Sequence, residues 1–154
     1  NDPKRNYSDI DIARLEDGRL LAVVREHNIK RSVFSHSEDE GRTWTPIRYT
    51  GFLGANIKLQ RLQSGAVICL YRDESPELRG VSVSVTDDGG ESWEHVGQLY
   101  SAPSDTPHIP NLLCGYPDMV YVNDREMISI LHTYPDTSGR VDLQQFHLRD
   151  VSTS

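Results

Sequence analysis

Ser37-Glu38-Asp39-Glu40-Gly41-Arg42-Thr43-Trp44 and Thr86-Asp87-Asp88-Gly89-Gly90-Glu91-Ser92-Trp93 are two copies of one octet, [ST]-x-D-x-G-x-[ST]-W. Each follows a β-rich run, Ser32-Val33-Phe34 in the first case and Val81-Ser82-Val83-Ser84-Val85 in the second. The octet spells a strand running into a tight turn. The hydroxyl (Ser37, Thr86) and the carboxylate (Asp39, Asp88) bond local backbone amides. Gly41 and Gly90 supply positive φ. Trp44 and Trp93 fold back to pack between strands, with the indole N–H free to find a carbonyl. Every group in the octet is used in holding the turn, so the octets speak to fold and not to chemistry.

Working outward, the segments preceding the octets also repeat. Asp9–Glu26 reads DIDIARLEDGRLLAVVRE, Asn56–Asp73 reads NIKLQRLQSGAVICLYRD, and Tyr116–Thr133 reads YPDMVYVNDREMISILHT. Each is a strand, a tight turn and a second strand. The turns are Glu16-Asp17-Gly18, Gln63-Ser64-Gly65 and Asn123-Asp124-Arg125, two of them with the glycine a hairpin favours. The second strands, Leu20–Val24, Ala66–Tyr71 and Met127–Leu131, are apolar without alternation, which marks strands buried on both faces. No segment has helical periodicity.

A unit is therefore strand, turn, strand, loop, strand, octet turn, strand. Four strands in about 47 residues is the size of one β-propeller blade. Residues 1–154 read as one all-β domain of three antiparallel blades, about 8–50, 54–100 and 114–150. The third lacks the octet and ends after three strands. Three blades cannot close a ring of about 4–8. The expectation is half of a six-bladed ring, completed by an N-terminal half of the same propeller or by a second copy; the opening Asn1-Asp2-Pro3 reads as the start of an excised fragment.

Strand direction sorts the remaining residues. The first hairpin turn and the octet turn share one face. The opposite rim collects the starts of first strands (Asp9, Asp11, Asn56, Lys58, Tyr116, Asp118), the ends of second strands (Arg25-Glu26-His27, Arg72-Asp73-Glu74, His132) and Arg79. The connection Ser101–Leu113, with Pro103, Pro107 and Pro110, is long and crosses the same rim as a substrate-facing loop.

The octets resemble the Asp boxes, or BNR repeats, of sialidase-type propellers. The wider pattern resembles the C-terminal half of exo-α-sialidases. The family's Glu that begins a blade nine residues before the hairpin Gly falls on Asp9, an Asp here. A family Arg ending the next strand falls on Arg25, and another, opening a third strand before an Asp box, on Arg79. The family's nucleophilic Tyr falls on Tyr116 in Cys114-Gly115-Tyr116-Pro117-Asp118. The resemblance implies Tyr116 as nucleophile with Asp9 as its base, and Arg25, Arg79, Arg72 and Asn56 as substrate-binding groups. A guanidinium holds a carboxylate bidentately, and a phenol avoids the repulsion that a carboxylate nucleophile would meet from an anionic sugar. It implies a sialoside or another acidic glycan as substrate, with turnover only in the parent protein, because the family's first Arg and its acid lie in the other half. The alternative is a non-catalytic Asp-box propeller that binds carbohydrate or acts as a scaffold.

Composition excludes other classes. Net charge is −7, with no basic stripe for nucleic acid. No apolar run reaches the ~20 residues of a membrane span, and no targeting segment assigns a compartment. The six histidines have no metal-ligand spacing, and no cofactor motif is present. Two cysteines are too few for a disulfide framework, and Cys69 sits in an apolar strand as a buried thiol.

Overall fold

The chain folds as three antiparallel sheets set side by side; the computed structural model describes residues 5–102, 114–123, 125–133 and 142–149. Blade 1 contains β1 (Tyr7–Arg14), β2 (Leu20–Glu26), β3 (Arg31–Ser37) and the short β4 (Arg48–Tyr49). Blade 2 contains β5 (Gly54–Arg61), β6 (Val67–Asp73), β7 (Gly80–Thr86) and β8 (Glu94–Ser101). Blade 3 contains β9 (Cys114–Asn123), β10 (Glu126–Thr133) and β11 (Asp142–Arg149). Within each blade the strands pair in chain order, a meander. The innermost strands β1, β5 and β9 lie in sequence against one another.

The lack of alternation in β6 follows from its position. Its odd residues Val67, Cys69 and Tyr71 pack towards blade 1, against Ala13, Leu15, Leu21, Val23 and Phe34. Its even residues Ile68 and Leu70 pack towards blade 3, against Met119 and Met127. Both faces of the strand are core, and all seven residues are buried. The two outer faces of the arc differ. Ile10 and Ile12 on β1, and Val120, Val122 and Ile130 on β9 and β10, remain exposed. As a result β10 alternates, in contrast to β6. Both cysteines are buried and free, and burial, with a smaller push from the Asp11 charge, drives the Cys69 thiol pKa well up.

The two octets form the same turn. In the second, the Thr86 hydroxyl donates to Asp88 and accepts the Gly90 amide (both 2.8 Å), while Asp88 accepts the Ser92 amide and hydroxyl. Ser37, Asp39, Gly41 and Thr43 repeat this set in the first. Two successive left-handed residues make each turn, Gly89-Gly90 (φ 75° and 100°) and Glu40-Gly41 (φ 62° and 84°). Each indole donates to the turn glycine's carbonyl at 3.1 Å, Trp44 to Gly41 and Trp93 to Gly90. Trp93 packs edge-on to Phe52, whereas Trp44 is 39% exposed.

Candidate active site

The second octet turn and the hairpin turns of blades 1 and 2 meet on one face, where Glu16, Asp17, Ser64, Gly65, Asp87 and Asp88 line a shared groove. The charged cluster described next lies at the other ends of the strands.

Its unit is a β-bulge repeated in every blade. The β1–β2 register shifts between Ser8 and Asp11, the β5–β6 register between Ala55 and Lys58, and the β9–β10 register between Ile130 and His132. At each bulge one residue is left-handed: Asp9 (φ 52°), Asn56 (φ 51°) and Tyr116 (φ 47°). A non-glycine residue at positive φ is uncommon, and for a bulky side chain it is an outlier. A bulge of this kind re-aims a side chain that regular pleating would have pointed into a neighbouring sheet. Two residues further on, Asp11, Lys58 and Asp118 form a second tier. The Lys58 Nζ lies 3.7 Å from Asp11 and 3.3 Å from Asp118, so one ammonium ties all three innermost strands together. Burial opposes charging Lys58, but the two carboxylates outweigh it and raise its pKa.

Above this tier sits Arg25, at the end of β2. Its Nη2 donates to both oxygens of Glu74, at 2.8 and 2.7 Å, and its Nη1 lies 3.6 Å from Asp9. Arg72, 8% exposed, reaches the same Glu74 at 3.1 Å. Glu74 crosses to blade 1 because the chain turns sharply after β6, its amide donating to the Leu53 carbonyl at 2.9 Å. Its neighbour Asp73 fastens the turn by accepting the amide and hydroxyl of Ser75 and the hydroxyl of Ser82. Asn56 is 8% exposed, and its Oδ1 is buried with no hydrogen-bond partner among the described residues; Arg25 Nε shares that condition. Asn56, Arg72 and His132 converge on Gly115. A Cβ there would stand 2.7 Å from Asn56 Oδ1 and 3.5 Å from both Arg72 and His132.

Tyr116 stands out from this group, 71% exposed, its ring stacked on His132 at 5.5 Å between centroids. Burial, then the Arg72 charge, lowers the pKa of the His132 imidazole stacked on Tyr116, favouring its neutral form. Burial lifts the Cys114 thiol to about 11, against the opposing pull of Arg72 and Arg79.

The sequence-expected site residues therefore separate. Glu74 joins Arg25 to Arg72, Asp9 meets the same Arg25, and Asn56 and Tyr116 flank them. Arg79 sits just before β7, one strand further from the axis, on the Cys114 side. The Tyr116 hydroxyl makes no hydrogen bond to Asp9 or to any other described residue. Glu74 is the member that sequence reasoning passed over. It was visible only as one of the charges ending an apolar strand, and its partner Arg25 lies 49 residues away in another blade. The connection 103–113, expected at this rim, lies outside the described residues, as does Asp124 of the third hairpin turn. Among the described residues no group of three His, Cys, Asp or Glu is placed to hold a metal ion, and no helix is long and apolar enough to cross a membrane.

Fold and site together define three blades of the β-propeller type, with a charged cluster at the axial ends of their innermost strands. The BNR repeat-like domain family matches residues 5–133, and the chain belongs to it. A sequence search of curated proteins finds no match. Among solved structures, a protein of unknown function from Dyadobacter fermentans is similar with a TM-score of 0.76 at 18% identity, covering 97% of this chain and 40% of that one. A mutant of the α-L-arabinofuranosidase from Fusarium graminearum, in complex with an iminosugar inhibitor, is similar at 0.69 and 18%, covering 97% and 46%. The α-L-arabinanase of Penicillium chrysogenum, complexed with arabinobiose, is similar at 0.64 and 15%, covering 99% and 48%. The chain thus spans under half the length of these structures, and at such identities the likeness is one of fold.

Proposed function

We propose that the chain supplies part of the active site of a propeller glycoside hydrolase that releases a terminal sugar from a glycan. The observation that carries this reading is the Arg25 guanidinium shared by two carboxylates from different blades, Asp9 and Glu74. Glycosidases of the general type place two carboxyl groups on either side of the scissile bond, and Asp9 and Glu74, facing one guanidinium from different blades, are the pair that supports this arrangement. Glu74, held by two arginines, is the fixed group and suits the role of nucleophile or ion-pair stabiliser. Asp9, with one longer contact, is freer to move a proton to the glycosidic oxygen or from water. Arg25 and Arg72 are already engaged by Glu74, so these two guanidiniums have little unspent positive charge for an anionic sugar. That balance, with the arabinobiose bound by the Penicillium relative, supports a neutral pentose-type substrate.

A second reading keeps the sialoside, with Tyr116 as nucleophile, Asp9 as its base and Arg25, Arg79, Arg72 and Asn56 as the binding groups. Three guanidiniums at one end of the sheets favour it. In either case the ring needs further blades, from flanking chain or a second copy, and the exposed Ile10, Ile12, Val120, Val122 and Ile130 faces suit such packing.

The test is hydrolysis of fluorogenic α-L-arabinofuranosides, β-xylosides and α-sialosides by the complete propeller, with Glu74→Gln and Asp9→Asn variants whose folding is checked by thermal melting. Each substitution is expected to lower kcat by about 10²–10⁴-fold on a neutral glycoside. Exclusive turnover of sialosides would move the assignment to the second reading. Binding of sugar without turnover of any substrate would identify a carbohydrate-binding module.

A further inference from the structure

Tyr116 has three properties that a buried catalytic phenol would not combine. It is the most exposed of the large hydrophobic side chains among the described residues, its hydroxyl has no described partner, and its ring is stacked on the His132 imidazole. A nucleophilic phenol needs a base within hydrogen-bond reach, and no described carboxylate holds that position. Yet the side chain is kept in a strained left-handed backbone, φ 47°, which persists only where surrounding structure enforces it and which clusters at ligand sites. Here the enforcement is the bulge opposite Ile130 and His132, together with Gly115, the close-approach point for Asn56 and Arg72. The same bulge in blades 1 and 2 presents Asp9 and Asn56, members of the charged cluster. Blade 3 thus uses the same device to present an aromatic face.

We propose that Tyr116, braced by His132, is the stacking platform on which the sugar ring lies while the Asp9–Glu74 pair acts on its glycosidic bond; this rests on the glycosidase reading above. A flat aromatic face carries partial negative charge and attracts the polarised C–H face of a sugar. An exposed, immobilised ring loses little entropy on binding. The hydroxyl is dispensable in this role, and the ring is not.

The experiment compares wild type, Tyr116→Phe, Tyr116→Trp and Tyr116→Ala in the complete protein, with kcat and KM on the best glycoside and calorimetric binding of arabinobiose as probe. Phe and Trp are expected to stay within about threefold of wild type in both readouts. Ala is expected to raise KM and Kd roughly tenfold, the size of one aromatic contact, with kcat changed less than threefold. A loss of 10³-fold or more in kcat for Tyr116→Phe would overturn the platform in favour of the nucleophile. Unchanged KM and Kd for Tyr116→Ala would also overturn it, with the glycosidase assignment left standing. If wild type neither binds nor hydrolyses any sugar, both fall together.

Discussion

Replacing Asp88 by Ala tests the claim that the octets staple blades. Asp88 accepts three hydrogen bonds, from the Thr86 hydroxyl at 2.8 Å, the Ser92 amide at 3.0 Å and the Ser92 hydroxyl at 2.6 Å. Each such bond contributes about 0.5–1.5 kcal/mol net, and the site is solvent-exposed, so the total is about 2 kcal/mol. At ~2–4 °C per kcal/mol for a domain of this size, Tm should fall by about 4–8 °C. Part of the effect depends on pH. Partial burial pushes the Asp88 carboxyl up, but the Ser92 and Thr86 bonds outweigh it and hold it at about 2, below the ordinary 3.8. A depressed carboxylate stabilises the fold fully above the ordinary value, and that stabilisation is lost as pH falls through about 2. With solvent screening this share is roughly 1 kcal/mol. Urea unfolding of wild type and Asp88→Ala at pH 7, 4 and 2.5 should show a gap that is steady down to about pH 4 and narrows below it. A gap under ~0.5 kcal/mol at pH 7, or one that does not narrow in acid, would refute the reasoning.

Trp93→Ala should cost about 2–3 kcal/mol in chemical denaturation and Trp44→Ala about 1 kcal/mol, because Trp93 packs against Phe52 at the blade 1–blade 2 core and Trp44 is 39% exposed. Gly115→Ala should displace Asn56, whose Oδ1 would lie 2.7 Å from the new methyl. The expected result is about 1–3 kcal/mol of destabilisation from overpacking, with a drop in kcat/KM that Glu74→Gln does not add to in a double-mutant comparison.

The blades were legible because their signals are local. The octets, the Gly18 and Gly65 hairpins and the unbroken apolar run of β6 each follow from a few adjacent residues. The charged rim was legible as a face, since strand direction places Asp9, Arg25 and Arg72 at the same end. What could not be read was who meets whom. The Arg25–Glu74 contact crosses between blades and depends on a sharp turn fixed by Leu53 and Asp73, neither of which carries a motif. The bulges were hidden for a different reason. Asp9 and Asn56 are residue types that tolerate left-handed backbone, but Tyr116 is not, so no common glycine flags the position. The shared nine-residue spacing from Asp9 to Gly18 and from Asn56 to Gly65 was the one available sign.

The single ammonium of Lys58 has a consequence for how the arc resists deformation. Because it touches acids on both flanking strands, the three innermost strands are coupled electrostatically where their side chains are too polar to be held by packing. An outward swing of either end blade lengthens one of its two contacts, so the link works alongside the Arg25–Glu74 pair and the apolar cores in holding the cluster's spacing. Ionic strength, which screens exposed charges over about 8–10 Å, then acts as a mechanical variable for this protein, loosening the axis before it loosens the core.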